Sequence, residues 1–217
     1  MPLSRWTLFL HLSLERYWEW HLGMKTRGHI HADELSQLLG RPQAYEYGPV
    51  PFRTFWTMMD SVPPEHRRDE FVDFGSGKGR ALLLARAYGF RRLIGVELAP
   101  TFCREAEENI RKSGAENIEI VQADAAAFQV PSQASVYFFY NPFGKETFEP
   151  VLQNIRKSHQ SYPRSASILV LNSEDFVALA RDYCWIVQRS SGVSVPNMPW
   201  ARYEVTNPQV SVAGQGA

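Results

Sequence analysis

Three glycines, an aspartate and a lysine fall within Asp73 to Gly79, inside the stretch FVDFGSGKGRALLLARAYGF of residues 71–90. An apolar run that breaks into such a turn and resumes with helical periodicity sets a ligand over a helix start, and the residue types decide which ligand. A triphosphate seat needs a glycine, four residues and then Gly-Lys-Ser/Thr, whose hydroxyl holds magnesium. Here Gly77-Lys78 is followed by Gly79 and the earlier glycine position holds Val72, so both requirements fail. Dinucleotide turns put their third glycine three residues after the second; that position is Arg80. Asp73 is more telling still. A carboxylate at the carboxyl end of a first strand repels a pyrophosphate and attracts a cationic centre.

Further candidates stand at the ends of later apolar runs. Glu97 closes a second run in IGVELAP, 18 residues after Gly79. Asp124 in VQADAAAF follows a third, either as a ligand or as a cap for the next turn. A fourth run ends in FFYNPFG, with Asn141 and Phe143, and the aromatic stretch AYEYGPVPF upstream holds Tyr45, Glu46 and Tyr47. His29 and His31 in GHIHADE, with Asp33 or Glu34, have alternating metal-ligand spacing, but a polar loop before a helix accounts for the same letters and no metal is expected. Arg67-Arg68 and Arg91-Arg92 read as solvated pairs. Asn172 in LVLNS reads as a rim residue or a helix N-cap.

Strands and helices must position these residues. EFVDFG, RRLIGVE, NIEIVQA, ASVYFFY and SASILVLN are short runs rich in Val, Ile, Phe and Tyr, and KGRALLLARAYG, PTFCREAEENIRKSG and KETFEPVLQNIRKSH between them have helical length and period. This alternation predicts an α/β fold with a mostly parallel sheet covered on both faces. A short helix at EDFVALARD and an antiparallel edge hairpin, YCWIVQRSS and WARYEVTN joined by a Gly/Pro-rich loop, complete it. Upstream, Trp6, Phe9, Leu10, Leu14, Tyr17 and Trp18 recur on one face of a helix ending near Gly23, suited to packing on the main domain or to contact with a partner or membrane surface. A helix over Asp33–Leu39, another reaching Met59, and a linker at VPPEHRRDE follow. The expected organisation is an N-terminal helical segment over 1–65, a ligand-binding core over 66–207 and a loose tail over 208–217.

At 217 residues the chain fits one domain with an appendage and can bury a sizeable core. Lysine plus arginine balance aspartate plus glutamate at 23 each, which speaks against a polyanion-binding surface. Cys103 and Cys184 sit in apolar contexts suited to buried free thiols, which favours a reducing compartment, with one disulfide left open. The first apolar run is too short to span a bilayer and carries no cleavage pattern, so a cytoplasmic protein is expected.

VDFGSGKG resembles the first motif of class I S-adenosylmethionine-dependent methyltransferases, and the resemblance extends over about residues 70–206. It implies a Rossmann-like fold with a seven-stranded sheet, an N-terminal helical extension and S-adenosylmethionine as cofactor. It also implies cofactor contacts from Asp73, Gly75, Ser76, Gly77, Gly79, Glu97, Asp124, Ala125 and Asn141. Asn141-Pro142-Phe143 is one proline short of the Asn/Asp-Pro-Pro-aromatic sequence of enzymes that methylate planar amino nitrogens. It is similar to the Asn-x-Phe arrangement of non-SET, Rossmann-type protein lysine methyltransferases, which also carry an upstream tyrosine segment. The whole chain resembles uncharacterised bacterial methyltransferases with a GSGKGR turn and an NPF strand end.

The implied activity is methyl transfer to a nitrogen of a protein lysine or a small amine, ahead of nucleic acid. The Asn141 carbonyl would hold the amine, with Phe143, Tyr45 and Tyr47 as walls and Glu46 as a base; each aromatic equally suits anchoring the N-terminal helices. Rival expectations are a nucleic-acid methyltransferase with a basic track beside Asn141, aminopropyl transfer on the same fold, or a non-catalytic cofactor-binding protein whose acceptor channel is plugged by Trp56 or Tyr47.

Overall fold

The computed structural model describes residues 5–31, 33–34, 36, 46–194 and 197–206, with side chains from Leu12 onward. The helix expected over 33–39 falls largely outside these residues, as do Tyr45 and the tail. In chain order the elements are α1 (Arg5–His21), α2 (Phe52–Asp60), β1 (Glu70–Phe74), α3 (Arg80–Ala85), β2 (Arg92–Glu97) and α4 (Pro100–Ser113). They continue with β3 (Ile118–Gln122), β4 (Ala134–Tyr140), α5 (Lys145–Ser161), β5 (Ala166–Leu171), α6 (Glu174–Ala180), β6 (Ile186–Ser194) and β7 (Met198–Val205).

The strands form one seven-stranded sheet in the order β3-β2-β1-β4-β5-β7-β6. β1 to β5 run parallel, and β7 inserts antiparallel between β5 and β6. This is the mostly parallel sheet with a C-terminal hairpin that the strand-helix alternation predicts. Between β1 and β4 the winding reverses, so the connections leaving their carboxyl ends part and open a crevice.

Alternation of side chains decides what each face receives. Val72 and Phe74 join Tyr137, Phe139, Ile168 and Val170 on one face, packed by Phe148, Val151 and Leu152 of α5 and Phe176 of α6. Phe71, Val136, Phe138 and Leu169 build the other, packed by α2 and α3. Phe55 of α2 sits with its ring centroid 5.5 Å from Phe138 and 6.3 Å from Phe71, so α2 shares the core of the sheet. Asp73 has the parity of Phe71, which points its carboxylate toward the face that α2, α3 and the N-terminal segment cover.

Three local expectations need correction. The presumed linker at VPPEHRRDE packs as a 3-10 turn over Pro64–Arg67, with His66 buried and its Nδ1 2.8 Å from Ser167 Oγ. The presumed loop after YCWIVQRSS is instead strand: β6 continues to Ser194, and Gly192 is required because a Cβ there would lie 2.9 Å from Trp200 Nε1. Both cysteines are free and Cys103 is buried, but Cys184 is exposed, because Trp185 beside it takes the inward position.

Candidate active site

The glycine turn begins where β1 ends. Gly75 and Ser76 N–H groups donate to Val96 O at 2.8 and 3.2 Å, folding the chain over the end of β2, and Gly79 N–H closes the turn on Ser76 O at 2.9 Å. Gly75, Gly77 and Gly79 have φ of +77°, +51° and +80°, in the left-handed region that side chains disfavour. Space is short as well. A Cβ on Gly75 would lie 2.5 Å from Pro142 Cβ, and one on Gly77 would lie 2.4 Å from Tyr47 Cε2. Bareness here therefore admits protein neighbours, where the sequence suggested close approach of a ligand alone. It also ties together the loops after β1 and β4 and the aromatic upstream segment. Ser76 lies under the turn, its hydroxyl against Gly95 and without a hydrogen-bond partner among the described residues.

Two acids are buried beside the turn. Asp73 is 2% exposed, and both influences on it, burial first and the Glu97 charge second, push its pKa well above the ordinary carboxylate value. Glu97 Oε2 accepts from Gly77 N–H and Oε1 from Ala99 N–H, both at 2.8 Å. Burial raises its pKa too, and these backbone donors only partly offset that. Two buried carboxylates whose charge burial disfavours, with the Glu97 charge adding to the penalty on Asp73, suit a cation or hydroxyl donors. Asp124, at the end of the connection from β3, caps the turn Ala125–Ala127 by accepting from Ala126 N–H at 3.0 Å. Capping and lining coexist here, since Asp124 and Ala125 also face the cavity that holds Asp73 and Glu97.

The loop after β4 closes the same cavity. Asn141 takes φ +40° with its N–H donating to Leu171 O at 3.1 Å, a backbone setting that presents the side chain at the strand end. Phe143 packs on Phe148 at 4.6 Å between centroids and lines the cavity with Asn141 and Pro142. Opposite them, Tyr47 lays its ring on Phe102 at 4.5 Å, and its hydroxyl donates to Thr26 O at 2.8 Å. Burial, the largest influence, raises the Tyr47 pKa far above that of an ordinary phenol. Glu46 stands exposed at the cavity mouth with its Oε1 3.6 Å from His31 Nδ1.

Other candidates lie elsewhere. Lys78 does not line the cavity but stands behind its wall, pairing with Glu105 of α4 at 2.9 Å with its ammonium 5.3 Å from the centre of the Tyr47 ring and 6.0 Å from that of Phe102. Trp56 packs edge-on against Trp18 at 5.0 Å and does not line the cavity. Asn172 is not the cap of α6: Ser173 is, accepting from Phe176 N–H, while Asn172 adopts φ +53° and donates its N–H to Pro199 O at 2.8 Å. No group of three metal-ligating side chains converges among the described residues. Among the cavity residues that the sequence did not single out is Arg80, noted there only as the residue in the third-glycine position; it is 3% exposed and pairs with Glu15 and Glu19. The four-residue spacing of those two acids on α1 was the available signal.

Residues 71–160 match a family described as a methyltransferase domain. No curated protein matches the chain. Among solved structures, the chain is similar to the putative methyltransferase yhhF of Escherichia coli, with TM-score 0.58 and 17% identity over 71% of this chain and 86% of that one. It is also similar to an RNA methyltransferase of Salinibacter ruber in complex with S-adenosyl-L-homocysteine, with TM-score 0.55 and 21% identity over 73% and 94%. A third similar structure is the magnesium protoporphyrin IX methyltransferase of Synechocystis PCC 6803 with bound SAM, with TM-score 0.55 and 11% identity over 72% and 79%. At these identities the likenesses establish the fold, and the acceptors named for the last two differ.

Proposed function

We propose that the chain is a class I, Rossmann-like S-adenosylmethionine-dependent methyltransferase, and that it transfers the methyl group to a nitrogen of a protein lysine or a small amine; the methyltransferase-domain match over residues 71–160 and the cavity's acids support the reading. The charge around the cavity carries the acceptor class. Glu46, Asp73, Glu97 and Asp124 line it, whereas Arg80, the one cation among the described lining residues, is paired with Glu15 and Glu19. Asp73, Glu97 and Asp124 suit the cationic donor, and with Arg80 already paired the described lining offers a phosphate backbone no free cation, which favours an amine acceptor.

The residues present suit the cofactor. Asp73 would face its amino-acid end, Glu97 would accept from the ribose hydroxyls, and Asp124 with the Ala125 N–H would meet the adenine edge. When bound, S-adenosylmethionine supplies an electrophilic methyl group on a sulfonium. The protein's work is then alignment and exclusion of water. The Asn141 side-chain carbonyl would accept an N–H of the acceptor and aim its lone pair, while Phe143 and Tyr47 shield the site and favour positive charge through their ring faces. With its hydroxyl committed to Thr26 O and its acidity suppressed, Tyr47 serves as a wall and not a base. Glu46 at the mouth is the group placed to take a proton from an incoming ammonium. Of the two side chains that could plug the acceptor channel, Trp56 does not line the cavity, whereas Tyr47 stands in its wall.

α1 turns Leu12, Leu14, Tyr17 and Trp20 to solvent, Trp20 at 77% exposure. This apolar face supports a macromolecular contact, and so a protein acceptor ahead of a free small amine. The test is incubation with methyl-labelled cofactor and fractionated cell extract. Label entering protein or small amines supports the proposal; label entering nucleic acid alone, or no transfer despite cofactor binding, contradicts it.

A further inference from the structure

Arg80 is out of place by local rules. It opens α3, directly after Gly79, where the positive end of a helix gives a cation nothing, yet it is 3% exposed. Its guanidinium explains why. Nε donates to Thr26 Oγ1 at 2.7 Å, Nη1 to Glu15 Oε2 at 2.7 Å and to Val50 O at 3.1 Å, and Nη2 to Glu19 Oε1 at 3.4 Å, with Cζ 4.6 Å above the centre of the Phe52 ring. Three separate N-terminal stretches thus meet on one buried cation.

The partners are themselves cross-tied. Glu15 Oε1 accepts from Phe52 N–H at 2.9 Å. Glu19 Oε1 accepts from Thr26 N–H at 2.6 Å and Arg27 N–H at 2.7 Å, and Glu19 Oε2 pairs with Arg27 Nε. Backbone and hydroxyl bonds from Thr26 and Arg27 with the Arg80 charge overcome burial and hold the Glu19 pKa below the ordinary value. From Thr26 the path leads to the cavity: Thr26 O accepts the Tyr47 hydroxyl, Ile30 and Tyr47 exchange backbone bonds at 2.9 and 3.2 Å, and the Tyr47 ring covers Gly77.

We propose that residues 24–31 and 46–52 form a strap over the cofactor seat, and that Arg80 is its latch, a positioning residue that acts by holding Tyr47 over Gly77. The proposal rests on reading the cavity as that seat. Tyr47 occupies the cavity wall against the turn, so cofactor entry and product release require the strap to lift. Its glycines, Gly28 at φ +124° and Gly23 at φ +65° just before it, supply backbone freedom for that movement. Closure is all-or-none because a guanidinium that loses one carboxylate inside is a buried, undercompensated charge, which favours full release into water over partial opening.

The test is cofactor dissociation followed by stopped-flow displacement, with affinity by calorimetry, on wild type, Arg80→Met, Thr26→Val and Tyr47→Phe. The last two keep the proposal testable where Arg80→Met fails to fold. Loss of about one hydrogen bond from the latch should speed dissociation about 5- to 10-fold, raise the cofactor KM, with kcat kept in Thr26→Val, and increase amide exchange across residues 24–31. Lowered melting temperature with unchanged dissociation rates and KM would mean a structural role only and overturn the latch. Failure of the wild-type protein to bind the cofactor would overturn the seat itself, and the latch with it.

Discussion

Asp73 concentrates the conflict between folding and function. Its neighbourhood raises its pKa from the ordinary 3.8 through burial and the Glu97 charge, so the free protein binds that proton more tightly than the unfolded chain. Stability from this group is complete below pH about 3.8 and is lost as pH rises through the elevated folded value. Asp73→Asn removes that loss and should raise the stability of the free protein at neutral pH by about 1–2 kcal/mol, read as a higher melting temperature, while weakening S-adenosylmethionine binding. A positive ligand favours the carboxylate. Wild-type affinity should therefore rise with pH and binding should release a proton, seen as a dependence of the calorimetric heat on buffer ionisation; Asp73→Asn should lose this release. The position of Asp73 was legible from letters alone, two residues before Gly75 at a strand end. Arg80 was not, because its meaning depends on Glu15 and Glu19, which approach it only in the folded chain.

Turns and helices fix where these side chains meet. Gly75 carries two constraints, a left-handed φ and Pro142 at 2.5 Å from any Cβ. Gly75→Ala should cost about 2–4 kcal/mol by denaturant unfolding and should part the loops after β1 and β4, weakening the cofactor and the acceptor site together. α2 makes a different prediction. Phe55 is fully buried between Phe71 and Phe138, so Phe55→Ala should destabilise the whole fold by about 3–5 kcal/mol in a single cooperative transition. A separate early transition would mean that the N-terminal segment is a detachable cap. The β-α alternation was readable because strand and helix periods differ. The extent of β6 was not, since Gly192 reads as a loop residue until Trp200 is seen to fill the space above it.

Across the whole molecule, sheet order places three acids and the Asn141 loop around one cavity, with the winding reversal between β1 and β4 opening it. The sheet's class and the cavity's acids could be read from motifs, because each acid ends a strand. The N-terminal architecture could not, because it depends on one buried cation gathering segments far apart in sequence. On the proposed function, a nitrogen acceptor is aligned at Asn141 beside a cofactor held independently by the turn. The direct measurement is the rate of labelled methyl transfer to the protein fraction by Asn141→Ala, set against its S-adenosylmethionine affinity by calorimetry. A fall of about 100-fold in turnover with affinity close to wild type is the predicted result; full activity, or equal loss of binding and turnover, would contradict it.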